Sequence, residues 1–180
     1  MQVKLRSMLY VALLASVATA SSHVASIPVA GARVFPVQHA VNVVSGVILG
    51  PSGAVLVAFV AAVLRNLLGT GTLLAFPGGM IGALLAGLVY RKTKTLWLTP
   101  LGEIVGTGIF GATLGYPVAR FLLGRSVAAF TYVVPFMMSS VAGAVLGALV
   151  VVALAQTPVW YLVVSAKSTE REQAERRWIG

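Results

Sequence analysis

Between Met1 and Thr169 this chain carries a single carboxylate, Glu103, and the residues around it are long apolar runs punctuated by Gly and Pro. The remaining acids, Glu170, Glu172 and Glu175, fall in the C-terminal tail, and there is no Asp. A soluble domain covers itself with charge, about 25% of its residues. Here 9% of residues are charged and 58% are hydrophobic, and the mean hydropathy is +0.95. A chain of this kind is solvated by lipid, where every backbone polar group must be satisfied internally. The expected class is therefore an all-α integral membrane protein in the lipid bilayer.

A hydrocarbon core about 30 Å thick calls for roughly 20 apolar helical residues. Six segments fit: Leu5–Ser22, Pro36–Gly50, Gly53–Leu68, Gly78–Arg91, Leu96–Leu123 and Val127–Ser165. The second to fourth are short, as is tolerated for helices packed inside protein or lining a cavity. Residues 1–166 read as one transmembrane domain, and residues 167–180, KSTEREQAERRWIG, as a charged cytoplasmic tail. The first segment also fits a signal peptide, with a basic start, an apolar run and an A-x-A site at Ala18-Thr19-Ala20. Against cleavage stands the small-residue stripe Ala12, Ser16, Ala20, which lets another helix approach closely. That helix belongs either to this chain or to a separate membrane partner.

The net charge of +9 is distributed as a topology signal. Lys4, Arg6, Arg91, Lys92, Lys94, Lys167, Arg171, Arg176 and Arg177 fall on one side of six spans, and Arg33, Arg65, Arg120 and Arg125 on the other. The richer side is cytoplasmic, so both termini are expected there, in a multi-pass protein of the cell membrane. No soluble basic face of the kind that nucleic acid requires is visible.

Several chemistries are excluded or poorly supported. With no Cys there is no disulfide and no thiolate metal site. Gly69-Thr70-Gly71 suggests a phosphate loop, but Leu73-Leu74 stands where a Walker A motif needs Lys and Ser/Thr, and Leu74 replaces the third Gly of a dinucleotide fingerprint. A Ser-His-Asp triad cannot be built without Asp. His23 and His39 lack Cys or Asp neighbours for metal ligation, and a Ser45–His39 dyad has no accompanying oxyanion motif. The expectation is a non-enzyme with no cofactor.

What remains is a set of isolated polar groups. Each is costly in lipid and so faces a bundle interior or a cavity. Gln38, Asn42 and Ser45 form one stripe of the second segment. Glu103 and Thr107 lie one turn apart on the fifth. Tyr132, Phe136, Ser139 and Ser140 make an aromatic and hydroxyl patch on the sixth. Together they suit a small, neutral, partly aromatic ligand. The competing reading for each is interhelical hydrogen bonding, worth about 0.6–2 kcal/mol.

The stretch FPVQHAVNVVSGVILGPSGAVLVAFVAAVLRNLLGTGTLLAFPGGMIGALLAGLVYRKT, followed by LGEIVGTGIFGATLGYPVA and FMMSSVAGAVLG, resembles ThiW, the thiazole-specific S-component of energy-coupling factor (ECF) transporters. PVQH, RNLLGTGTLLAFPG and GEIVGTG form the signature together. The resemblance implies a six-helix S-component bundle and the ligand hydroxyethylthiazole, the thiazole precursor of thiamine. It also implies a transmembrane coupling protein and ABC-type ATPases as partners. The substrate-binding candidates are Gln38, His39, Asn42, Asn66, Thr70, Thr72, Glu103, Thr107, Tyr132, Phe136 and Ser139. Ala12, Ser16 and Ala20 become the partner-docking stripe. Arg65 is taken as a structural loop residue that caps carbonyls or reaches toward Glu103. The alternatives are an S-component for thiamine or a pyridoxine-like ring, a stand-alone secondary carrier, or a membrane enzyme.

Overall fold

The computed structural model of the protein describes residues 2–29, 32–158 and 160. The end of the sixth expected segment and the whole of the tail lie outside them. Helix α1 (Gln2–Val24) leads into an antiparallel pair of short strands, β1 (Ile27–Val29) and β2 (Ala32–Val34), with Ile27 opposite Val34. This hairpin adds strand structure to a chain expected to be all-α. Helices α2 (Pro36–Ile48), α3 (Gly50–Leu67) and α4 (Ala75–Thr93) follow. The fifth expected segment is one continuous helix with alternating winding. It passes from α5 (Thr99–Val105) through π-wound turns at Gly106–Gly111 to α6 (Ala112–Pro117), and on to further π turns at Val118–Leu122. Helix α7 (Val133–Ala155) completes the described bundle.

The boundaries depart from expectation where proline is involved. Pro51 and Pro77 fall within the first turns of α3 and α4, where a missing N–H costs no intrahelical bond. Both helices therefore start earlier than Gly53 and Gly78. Pro135 lies likewise in the first turn of α7, which begins at Val133 and not at Val127. Helix α4 stops at a left-handed Lys94, with Arg91 and Lys92 in its last turn, where cations favour the helix dipole.

Among the described residues, three helices are long and apolar enough to cross a membrane: Leu5–Val24, Gly50–Leu67 and Val133–Ala155. Close packing rests on small residues, since lipid supplies no hydrophobic force between helices. A Cβ on Gly106 would fall 2.6 Å from the Gly82 Cα, and one on Gly111 would fall 2.6 Å from the Gly78 Cα. The α4 backbone therefore touches the backbone of the fifth helix along a ladder of glycines. Helix α7 meets α2 in the same way: a Cβ on Gly147 would lie 2.9 Å from the Ala40 carbonyl oxygen. Helix α1 lies on α2 and α3 through Ala15 and Ala18, which cluster with Val41, Val57 and Ala61.

Candidate functional site

The bundle end that carries the hairpin encloses a cavity of about 410 Å³. Its walls come from β2 and the start of α2 (Phe35, Gln38, His39), the α3–α4 loop (Gly69 to Thr72), the start of α4 (Gly78, Gly79), Thr107 in the π turn, and the start of α7 (Tyr132, Phe136, Ser139). Loops bring these together because the helices on either side are held by glycine contacts, and a π turn re-aims Thr107 out of the regular α register.

Two buried polar centres support the walls. The first is built on Glu103, which is fully buried. Its Oε1 takes His39 Nδ1 at 2.7 Å, Asn42 Nδ2 at 3.1 Å and the Thr107 hydroxyl at 2.7 Å. The acceptor there is a carboxylate oxygen, so Nδ1 carries a proton and donates it, and Nε2 is the ring nitrogen left for other partners. His39 lines the cavity, and no described residue bonds its Nε2. Asn42 also donates to the Gly79 carbonyl at 3.1 Å, and Thr107 lies 2.9 Å from the Gly78 carbonyl. Glu103 Oε1 thus ties α2 to the fifth helix, and Asn42 and Thr107 carry the cluster on to the α4 carbonyls.

The second centre is Arg65, 1% exposed at the end of α3. Its Nη1 donates to Gln38 Oε1, and its Nη2 reaches the Thr70 carbonyl at 3.4 Å. The guanidinium lies over the Phe35 ring, 3.8 Å from its centroid, a favourable cation–π arrangement. Phe35 is itself fixed by its N–H on Ser139 Oγ at 2.9 Å. Beyond Arg65 the chain turns through Gly69 at φ +72°, where glycine is free of strain. The Thr70 and Gly71 N–H groups both return to the Arg65 carbonyl at 2.9 Å. The Ser22 hydroxyl donates to the Thr19 carbonyl at 2.6 Å, which leaves the Thr70 hydroxyl to donate across the 2.9 Å contact with Ser22 Oγ. The end of α1 is thereby tied to the cavity loop.

Gln38, His39, Thr70, Thr72, Thr107, Tyr132, Phe136 and Ser139 line the cavity together with Arg65. Asn42 and Glu103 do not; they lie behind His39 and Thr107 and hold them. Asn66 points elsewhere, donating to the Ala62 carbonyl at 2.8 Å and the Thr72 carbonyl at 3.2 Å, which braces the loop. The expected reach of Arg65 toward Glu103 is replaced by two separate pairs, Arg65 with Gln38 and Glu103 with His39. The reason is sequence spacing on α2: adjacent residues Gln38 and His39 project in different directions, one toward α3 and one toward the fifth helix. Cavity residues that the sequence reading passed over are Arg33, Phe35, Arg125, Thr131 and Pro135. Phe35 and Pro135 had a signal in their positions beside helix starts, whereas Arg33 and Arg125 read only as topology charges. Among the described residues no three histidines or carboxylates come together to hold a metal ion.

Of the docking stripe, Ala12, Ser16 and Ala20 are all exposed, while Ala15, Ala18, Thr19 and Ser22 form the buried face of α1. The described chain therefore leaves the stripe uncovered. No curated protein and no solved structure matches the chain. The family model of the thiamine-precursor transporter protein (ThiW) matches residues 8–157, most of the sequence, and the chain belongs to that family.

Proposed function

We propose that the protein is the membrane-embedded substrate-binding subunit of an ECF-type importer, a six-helix S-component that captures hydroxyethylthiazole in the cavity at its hairpin end. A transmembrane coupling protein and ABC-type ATPases then drive uptake, and both termini face the cytoplasm. The observation that carries this reading is the cavity of about 410 Å³, within the range of small-molecule sites. Its one imidazole has its tautomer held by a buried carboxylate. His39 Nε2 accepts a hydrogen bond from the ligand hydroxyl, and Tyr132 and Phe136 supply ring surface for the thiazole. The protein binds and releases, and ATP hydrolysis belongs to its partners.

Calorimetric titration of the solubilised protein with hydroxyethylthiazole is the direct test, and saturable one-to-one binding is expected. His39→Gln should weaken it by about 1–3 kcal/mol, the cost of a buried hydrogen bond left unmade. Absence of binding in the parent protein overturns the thiazole reading.

The coupling role rests on the uncovered stripe of α1. Ser16→Leu or Ala12→Trp places bulk on a face that is exposed among the described residues. Import and co-purification with the coupling protein should fall sharply, with ligand affinity within about twofold, or 0.4 kcal/mol, of the parent. Intact assembly with lost binding would assign the stripe to packing within the chain.

A further inference from the structure

Resting on that reading of the cavity, we infer that the site selects its ligand by charge: it admits an uncharged azole and rejects a quaternised, cationic one, and Arg65 is the main determinant. Among the described residues, the cavity is lined by Arg33, Arg65 and Arg125, and by no carboxylate. Glu103, the acid within the described residues, is committed to His39, Asn42 and Thr107, and it lies behind the wall. None of the three arginines has a carboxylate partner among the described residues.

Arg65 is the unusual member. It is all but fully buried, and a guanidinium stays charged in any protein setting. Its bonds go to a neutral amide and a backbone carbonyl, and its Nε has no partner. A buried cation is normally matched by an anion, and here nothing in the wall supplies one. The Phe35 ring under one face offers quadrupole attraction but no neutralising charge. Arg33 and Arg125 are exposed at the rim and add positive potential along the way in. Low-dielectric walls focus such a field.

The chemical consequence is asymmetric. A neutral thiazole brings a ring-nitrogen lone pair, an acceptor suited to a wall rich in donors. A thiazolium has lost that lone pair and carries a fixed positive charge, so it brings like charge against the buried Arg65 guanidinium. Like-charge juxtaposition costs several kcal/mol at protein interfaces. The precursor ring and its N-alkylated products are thus separated by the wall itself, before any difference in size is considered.

Three probes test this on the intact protein by calorimetry: hydroxyethylthiazole, its N-methyl thiazolium salt, and a neutral analogue with the same extra methyl on the ring carbon next to nitrogen. The N-methyl salt should bind at least thirtyfold more weakly than the C-methyl analogue, about 2 kcal/mol. Arg65→Gln should shrink that ratio below about fivefold, or 1 kcal/mol. Should Arg65→Gln fail to insert, the paired rim change Arg33→Gln with Arg125→Gln should also lower the ratio, and added salt should lower it in the parent through screening at the exposed rim. Equal binding of the two methylated probes overturns the inference while leaving the thiazole reading intact. A ratio unmoved by both arginine variants assigns the discrimination to shape and overturns it too. No binding of hydroxyethylthiazole itself strikes the underlying reading instead.

Discussion

Glu103→Ala should lower the stability of the solubilised protein by about 1–3 kcal/mol for each buried donor left without its acceptor, and should abolish hydroxyethylthiazole binding. One oxygen of this carboxylate anchors groups from two elements besides its own turn: His39 and Asn42 of α2, and Thr107. Truncation strands the His39 Nδ1–H in an apolar layer and frees the ring to change tautomer. Nε2 would then present a proton to the cavity in place of a lone pair. Glu103→Gln is the gentler change. An amide oxygen at the Oε1 position still accepts from Nδ1, so the tautomer survives and only charge assistance is lost. Binding about tenfold weaker, 1.4 kcal/mol, is expected. Because Glu103 does not touch the cavity, it acts through His39. The losses in Glu103→Gln and His39→Gln should therefore be far from additive in the double variant, with a coupling of about 1 kcal/mol or more. Independent, additive losses would show that Glu103 contacts the ligand by a route of its own, and unchanged melting in Glu103→Ala would remove it from the framework.

How much of this was legible beforehand can be argued from α2. The spacing of Gln38, Asn42 and Ser45 marks one inward face, and all three are buried. Periodicity carries direction but not depth. Gln38 reaches the cavity, Asn42 lies behind its wall, and Ser45 returns its hydroxyl to the Asn42 carbonyl at 3.0 Å. Depth was set by the level at which α2 crosses the fifth helix, and that depends on the glycine ladder of α4. The pairing of the lone acid with His39 was hidden for a similar reason. A residue 64 positions away leaves no local pattern, and histidine next to glutamine on one helix does not reveal which of them faces which neighbour. The π turn at Gly106–Gly111 left only the GTG of Gly106-Thr107-Gly108, which reads equally as close packing. The hairpin strands, of three residues each, are too short for an alternation signal.

Gly82→Ala should damage this protein severely for one added methyl. Gly82 faces the fifth helix where Gly106 abuts it, and a Cβ at Gly82 would lie 2.5 Å from Glu103 Oε2 and 2.7 Å from its carboxyl carbon. The Thr107 hydroxyl would be crowded as well. The carboxylate cannot step aside cheaply, since its other oxygen holds three hydrogen bonds. Either those bonds break or α4 separates from the fifth helix, and Gly106, whose own Cβ position falls against the Gly82 Cα, shows that there is no slack between the backbones. Overpacking of a closed core costs about 1–3 kcal/mol, and losing part of the Glu103 cluster adds about 1–3 kcal/mol per stranded group. The expected result is a fall in melting temperature comparable with that of Glu103→Ala, together with loss of binding, because the displaced carboxylate releases His39. Gly115→Ala is the matched control. It lies on the same composite helix and is also buried, but its Cβ would meet nothing nearer than Leu74 at 3.6 Å, an ordinary contact. There the gain in helix propensity, about 0.8–1 kcal/mol, should leave stability equal or slightly higher, with binding retained. Equal melting temperatures for Gly82→Ala and Gly115→Ala would mean that α4 and the fifth helix are not in backbone contact, and that the carboxylate has room the structure does not give it.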